Sequence, residues 1–111
     1  MKYFIGNWKM FGVPSSLNIL NKINSFHSKD KNRNKYKIVI TPPYTLIESY
    51  SKHFKVKKIF IGSQNCYHKD LFSSNTAAVS PYMLRSVGAT YTLIGHSDNR
   101  SDGDSDVMLN N

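Results

Sequence analysis

The sequence predicts an α/β fold in which a parallel sheet is covered by helices. Strand and helix patterns alternate regularly along the chain, and the strand segments are continuously apolar, as in sheets that are buried on both faces. With 40% hydrophobic and 13% aromatic residues, the composition is that of a globular protein. The 111 residues provide for one small domain, which we take as residues 1–111.

The first unit is a strand over residues 3–9 followed by a helix. Pro14 opens that helix, at a position where its missing N–H is not needed for a hydrogen bond. Apolar residues then recur at helical spacing and predict the buried face, which consists of Leu17, Leu20, Ile23 and Phe26. The polar residues 29–35 are predicted to form a loop.

The second unit begins with a strand over Tyr36 to Thr41 and a turn at Pro42-Pro43. The helix that follows has its apolar residues on one face, namely Leu46, Ile47, Tyr50 and Phe54. A third strand is predicted from Lys58 to Ser63.

The remaining segments continue the same alternation. Residues 65–79 are predicted to be a long irregular loop, and loops of that length are usually functional or mobile. Ser80 and Pro81 begin a third helix that ends at Gly88, a glycine typical of a helix C-terminus. A fourth strand covers Tyr91 to Ile94, and residues 105–111 begin another helix. The order is therefore four strand–helix units with the last helix cut short.

Composition also indicates the compartment. The single cysteine, Cys66, excludes an internal disulfide and is typical of a reducing cytoplasm. No apolar run approaches the roughly 20 residues of a membrane span, and the first ten residues lack a secretory signal. We therefore expect a cytoplasmic protein without a membrane partner. His27, His53 and His68 lack metal-ligand spacing, so no metal is expected and these histidines are predicted to lie at the surface.

The net charge of +8 is concentrated in residues 29–37 and 52–58. Such runs can contact the phosphates of a nucleic acid. They are also typical of solvated helix ends and loops, and we favour this second interpretation because no regularly spaced aromatic residues accompany them.

Two strand ends carry residues that suit catalysis. One is the segment after the apolar run 89–94, Gly95-His96-Ser97-Asp98-Asn99-Arg100. A histidine at the start of a helix is kept neutral by the helix dipole, and a neutral ring can donate a hydrogen bond to a carbonyl. A structural histidine at a strand end is the alternative.

The other strand end carries Asn7 and Lys9. Strand alternation would direct both side chains to one face, where an amide and an ammonium can hold a phosphorylated or carbonyl substrate. Taken alone, the pair would more often be an ordinary surface strand end.

Together these motifs resemble the triosephosphate isomerase family. Further segments match that family in the same order along the chain, and they are Thr41-Pro42-Pro43-Tyr44, Ile61 to Cys66, Ser80 to Leu84, and Gly88 to Tyr91. The resemblance implies a TIM (β/α)8 barrel, which needs about 250 residues. The chain then supplies the first four βα units, a half-barrel with two unpaired strand edges and an open apolar face.

A half-barrel of this kind is expected to be poorly stable as a monomer. We expect a chain truncated within the helix after the fourth strand. The alternative is a half-barrel that pairs with a second copy of itself to close the barrel.

The resemblance also implies a reaction and the residues that perform it. The family interconverts dihydroxyacetone phosphate and glyceraldehyde 3-phosphate in glycolysis and gluconeogenesis, through an enediolate and without metal or organic cofactor. His96 would polarise the carbonyl and relay protons, Lys9 would stabilise the developing oxyanion, and Asn7 would bind and orient the substrate. Ser97 and Asp98 would support them, although Asp98 stands where the family usually has glutamate. A basic surface would steer the anionic sugar phosphate to this site.

The resemblance also bears on the general base and on the dimer contacts. The family's general base is a glutamate on a later strand, and Glu48 is the only glutamate in this chain, so the chain alone is expected to be inactive. The family forms homodimers, in which Thr76 would contact the second subunit. Ala77 and Ala78 stand where the family often has Gly-Glu.

A non-catalytic basic half-barrel that binds nucleic acid or itself is the alternative function. The presence of Asn7, Lys9 and His96 at separate strand ends favours the isomerase, because a binding module has no use for these three together.

Overall fold

The computed structural model describes residues 1–54, 59–69 and 71–96. Within them, four strands alternate with three α-helices. The elements in order are β1 (Lys2–Asn7), α1 (Leu17–Lys29), β2 (Tyr36–Thr41), α2 (Tyr44–His53), β3 (Ile59–Ser63), α3 (Pro81–Ser86) and β4 (Tyr91–Thr92). The strands form one sheet in the order β1-β2-β3-β4, and every neighbouring pair is parallel. The predicted half-barrel of parallel strands is confirmed.

All four strands end on the same side of the sheet because they run parallel. Asn7 is paired with Thr41 at the ends of β1 and β2, and Ser63 is paired with Thr92 at the ends of β3 and β4. We call this side, marked by those four residues, the carboxyl edge. Active sites of barrels built from βα units lie at this edge.

The helices cover one face of the sheet and form the core with it. The predicted face of α2 is confirmed, since Leu46, Ile47 and Tyr50, together with Phe54 directly after the helix, are all buried. They pack with sheet residues that point to the same side, among them Ile40, Ile59 and Ile61.

The prediction for α1 is confirmed only in part. Leu20 is fully buried, and Leu17 and Ile23 pack partly against the core. Phe26 is 69% exposed, contrary to the prediction. Its ring lines an apolar groove beside β1 that includes Phe4, and the described residues provide nothing that covers it.

The helix boundaries follow ordinary capping chemistry. A 3₁₀ turn over Pro14–Ser16 leads into α1. The Ser80 hydroxyl accepts a hydrogen bond from the Met83 N–H at 3.2 Å, so Ser80 caps α3 as predicted. Gly88 follows α3 with φ +101°, a left-handed conformation that favours glycine. The described residues between β3 and α3 contain neither helix nor strand, which confirms the long loop.

Two strands are shorter than predicted. β1 ends at Asn7 and not at residue 9, because Lys9 has φ +55° and cannot continue a strand. β4 ends at Thr92, although the Leu93 N–H still donates to the Ser63 carbonyl at 2.9 Å. The predicted start of the third strand at Lys58 and the predicted helix over residues 105–111 lie outside the described residues.

One histidine contradicts the prediction of surface positions. His53 is exposed and its Nε2 lies 2.8 Å from the Asn21 amide oxygen. His68 is half-buried. His27, in contrast, is only 3% exposed, because its ring packs edge-to-face on Tyr36 at 5.0 Å between centroids. His27 lies four residues after Ile23 and seven after Leu20, so helical spacing puts it on the buried face of α1, where it meets Tyr36 of β2.

The cations of residues 29–37 are mainly solvated, as predicted. Lys29, Lys31, Arg33 and Lys35 are exposed around the end of α1 and the 3₁₀ turn Arg33–Lys35, whereas Lys37 in β2 is half-buried. Among the described residues, no helix has both the length and the apolar character needed to cross a bilayer.

Candidate functional site

Asn7 and Lys9 are joined by a tight turn at the end of β1. The Asn7 side-chain oxygen accepts a hydrogen bond from the Lys9 backbone N–H at 2.8 Å. Lys9 has φ +55°, which is uncommon for a residue with a Cβ. The predicted proximity of the two residues therefore has a different origin from strand alternation, since Asn7 turns the chain and holds Lys9 in a strained conformation.

Gln64 fixes the other side of the Lys9 backbone. Its side-chain N–H donates to the Lys9 carbonyl at 2.6 Å and to the Thr41 carbonyl at 3.0 Å. The residue after β3 thus ties the turn after β1 to the end of β2. Gln64 is not among the site residues that the sequence predicts. Its position directly after a predicted strand, next to the other strand ends, is the signal that could have identified it.

The carboxyl edge is connected across all four strands. The Trp8 N–H donates to the Thr41 carbonyl at 3.1 Å, which extends the pairing of β1 with β2 by one residue. At the other pair of strands, the Ser63 hydroxyl donates to the Thr92 hydroxyl at 2.7 Å. These hydrogen bonds hold the strand ends, and so the starts of the loops that follow them, in fixed positions.

Tyr44 connects the start of α2 to the loop after β3. Its hydroxyl donates to the Asn65 carbonyl at 3.0 Å. Burial raises the pKa of Tyr44, with a smaller contribution from nearby Cys66, so the phenol stays protonated and keeps this bond at neutral pH.

His96 lies on the same edge, in the segment after β4. Gly95 before it has φ +66°, and His96 itself is half-buried. In the sheet order, β2 and β3 separate the end of β4 from the end of β1. Asn7 and Lys9 are in direct contact with each other. His96 lies on the same edge of the sheet but at its opposite end. Ser97 and Asp98 lie outside the described residues.

The loop between β3 and α3 contains the predicted dimer contact. Thr76 is exposed in this loop. Ala77 has φ +69°, a conformation that glycine adopts without strain. This explains physically why glycine suits the position where the chain has Ala77. Within the described part of the chain, no three histidine, cysteine or acidic side chains gather as candidate metal ligands.

Comparisons with known proteins identify the family. The family model described as triosephosphate isomerase matches residues 2–111. A triosephosphate isomerase of Wolbachia pipientis wMel is 37% identical over 107 residues, which cover 95% of this chain and 41% of that protein. One of Buchnera aphidicola subsp. Baizongia pistaciae is 36% identical over 110 residues, covering 97% and 43%.

The solved structures agree with the sequence comparisons. The crystal structure of triosephosphate isomerase from Bartonella henselae superimposes with a TM-score of 0.88 at 31% identity, over 97% of this chain and 44% of that one. The chain thus spans about two fifths of the length of the relatives it matches. With the sheet, the strand ends and the family model in agreement, the chain belongs to the triosephosphate isomerase family.

Proposed function

We propose that this chain supplies the Asn7, Lys9 and His96 part of a triosephosphate isomerase active site. The whole protein would interconvert dihydroxyacetone phosphate and glyceraldehyde 3-phosphate by proton transfer through an enediolate. The observation that carries the proposal is that all three residues lie at the end of a parallel strand or shortly after it, on the carboxyl edge, in a chain of this family. In barrels of βα units, that edge is where substrates bind.

Lys9 is suited to electrostatic stabilisation of the enediolate. Its backbone N–H is held by Asn7 and its carbonyl by Gln64, so the residue starts from a fixed position. An ammonium carried on this fixed backbone would stabilise the negative charge that develops on the substrate oxygen. The strain at φ +55° is of the kind that proteins retain where a side chain must be aimed.

Asn7 can contribute a donor to the same substrate. Its amide oxygen is used in the bond to the Lys9 N–H, which leaves the amide NH2 group as the part that points to other partners. An NH2 donor beside an ammonium suits the binding of a carbonyl or hydroxyl oxygen of the sugar phosphate.

His96 would act as the proton relay between the two substrate oxygens. A neutral imidazole can donate to a carbonyl oxygen and accept a proton in return, and the family is a known example of this chemistry. We extend the proposal to Ser97 and Asp98 as supporting residues, and to a cytoplasmic homodimer with Thr76 at the contact, acting in glycolysis and gluconeogenesis.

The chain alone is proposed to be inactive because it lacks a general base. Glu48 lies on α2 and its side chain is 57% exposed in an ion pair with Lys52. The hydrogen bond and the charge of Lys52 lower the pKa of Glu48, which weakens it further as a base.

The test uses a joined protein, in which this chain is followed by the part of the Bartonella henselae enzyme beyond the aligned region. We expect isomerase activity from the joined protein and none from the chain alone. Lys9→Met and His96→Gln should each lower kcat/KM by about 100-fold or more, since each removes a group that acts in the transition state.

Matched variants separate this effect from general damage. Lys22→Met and His53→Gln change the same residue types at exposed positions on α1 and α2, and should leave kcat/KM unchanged. Circular dichroism should show that all the variants are folded. Full activity in the Lys9 or His96 variants would contradict the assigned roles, and turnover by the chain alone would contradict the missing base.

A further inference from the structure

The segment that follows β1 is attached to α2 as well as to the sheet. The Trp8 ring packs edge-to-face on the Tyr50 ring of α2, with 5.7 Å between the ring centroids. The Tyr50 hydroxyl donates a hydrogen bond to the Val13 carbonyl at 3.1 Å. Lys9 lies between these two points of attachment, and we call residues 8–13 the lysine loop.

Gly12 lets the lysine loop fold back on itself. Its φ is +118°, in the region of positive φ that favours glycine. A Cβ at this position would lie 2.9 Å from the Trp8 ring and 3.1 Å from a methyl group of Leu46 on α2. The Trp8 ring therefore lies directly against the backbone four residues further along, and the lysine loop forms a compact unit on α2.

Tyr50 connects this unit to the core. Its side chain is fully buried, in the same cluster as Leu46 and Ile47. Val13 is 58% exposed, so its own side chain does little to hold the end of the loop. The Val13 carbonyl accepts both the Tyr50 hydroxyl and, at 2.8 Å, the Ser16 N–H, which uses its two lone pairs. Burial raises the pKa of Tyr50, and a hydrogen bond with the Ser16 side chain lowers it by less, so the hydroxyl stays protonated at neutral pH.

We infer that Tyr50 is a positioning residue for Lys9 and acts through the lysine loop. Asn7 and Gln64 hold the Lys9 backbone from the sheet, and Tyr50 holds the far end of the loop from α2. Only residues 10–12 separate Lys9 from Val13, so a movement of Val13 is passed on to Lys9. The inference rests on the proposed function, because it concerns the ammonium that would stabilise the enediolate.

The first test uses Trp8, the only tryptophan of the chain, as a reporter of the lysine loop. Tyr50→Phe keeps the ring contact and removes the hydrogen bond to Val13. We expect the acrylamide quenching constant of Trp8 to rise by about 1.5-fold or more and its fluorescence anisotropy to fall, because the loop opens more often. Ser51→Ala is the matched control, since it also removes from α2 a hydroxyl that donates to a backbone carbonyl, that of Val87 at 2.7 Å. It should leave both Trp8 signals unchanged.

The second test measures kcat/KM in the joined protein described above. Tyr50→Phe should lower kcat/KM by about tenfold, since a small displacement of a charged group weakens its stabilisation of the transition state. Ser51→Ala should leave kcat/KM unchanged. In a Lys9→Met background, Tyr50→Phe should have almost no further effect, because the group that it positions is gone. A general loss of stability would instead lower the activity in both backgrounds.

Gly12→Ala changes the same loop at an exposed position and provides a second variant if Tyr50→Phe does not fold. The added methyl group would displace the Trp8 ring, so the quenching constant should rise and kcat/KM should fall, as in Tyr50→Phe. Unchanged Trp8 quenching, or equal losses of kcat/KM with and without the Lys9 ammonium, would overturn the inference. Full activity of Lys9→Met would instead contradict the proposed function, and Trp8 quenching would still show whether Tyr50 holds the loop.

Discussion

Among the described residues, the two non-glycine residues with positive φ are held in different ways. Lys9 has hydrogen bonds on both sides of its backbone, from Asn7 and from Gln64. Ala77 is exposed at φ +69° in the loop before α3, where its conformation is not braced by side chains from other strands as that of Lys9 is. Strain at Lys9 is thus built into a supported turn, whereas strain at Ala77 can be relieved by a change of residue.

Ala77→Gly should stabilise the chain. A left-handed conformation costs an L-residue about 1–2 kcal/mol, and the added flexibility of glycine in the unfolded chain returns part of that gain. We expect the free energy of unfolding in urea to rise by about 0.5–1 kcal/mol. Ala78→Gly, at a neighbouring position without positive φ, should leave it unchanged or lower it. An unfolding free energy that falls in Ala77→Gly would contradict this interpretation.

At this scale, the sequence predicts candidate site residues and does not predict most of their contacts. Asn7, Lys9 and His96 could be selected because amides, ammonium groups and imidazoles at strand ends are chemically distinctive. The hydrogen bond from Gln64 to the Lys9 carbonyl could not be predicted, since the two residues lie 55 positions apart along the chain. The burial of His27, in contrast, follows from helical spacing, because His27 lies four residues after Ile23 and seven after Leu20 on the buried face of α1, and the Tyr36 ring then packs against it.

At the scale of elements, the contact of α2 with the end of α3 depends on a glycine. The Ser51 hydroxyl on α2 donates to the Val87 carbonyl at 2.7 Å. Gly88 follows with φ +101°, and a Cβ there would lie 2.7 Å from the Ser51 Cβ and overlap its hydroxyl. Gly88 therefore ends α3 and at the same time lets the chain pass close to α2 on its way into β4.

Gly88→Ala should destabilise the chain by about 2–4 kcal/mol, the sum of left-handed strain and overpacking against Ser51. Urea unfolding followed by circular dichroism measures the loss. In a Ser51→Gly background the overlap disappears, and the same substitution should cost only about 1–2 kcal/mol. Equal costs in the two backgrounds would show that the contact with Ser51 has no part in the effect.

The elements were largely predictable because their signals are local. Helical spacing identified α2, and Ser80, Pro81 and Gly88 marked the ends of α3. The predicted face of α1 was wrong at Phe26, because a strict spacing of three residues drifts by about 60° at each step around a 3.6-residue helix and so carries Phe26 to the side opposite Leu17. The predicted end of β1 was wrong for a different reason, since hydrogen bonds from Asn7 and from Gln64 set the backbone of Lys9.

For the whole molecule, the principal consequence of a four-stranded sheet is uncovered apolar surface beside β1. A groove of about 870 Å³ is lined by both β1 and α1, and includes Phe4, Ile5, Ile23 and Phe26. Phe4 is 58% exposed although it lies within a strand. The groove therefore offers exposed apolar side chains from both elements to an apolar ligand.

The groove should therefore bind the apolar dye 8-anilinonaphthalene-1-sulfonate. Replacing Phe4 and Phe26 together by glutamine should reduce the dye fluorescence by roughly half or more, with little change in stability because both side chains are already exposed. Met10→Gln is the matched control, since Met10 is 93% exposed and does not line the groove. If Met10→Gln reduced the fluorescence as much as the double variant, the dye would be binding to scattered apolar residues or to the positive charge of the chain. A fall confined to the double variant would locate the uncovered surface between β1 and α1, where β1 is the edge strand of the sheet that the described residues form.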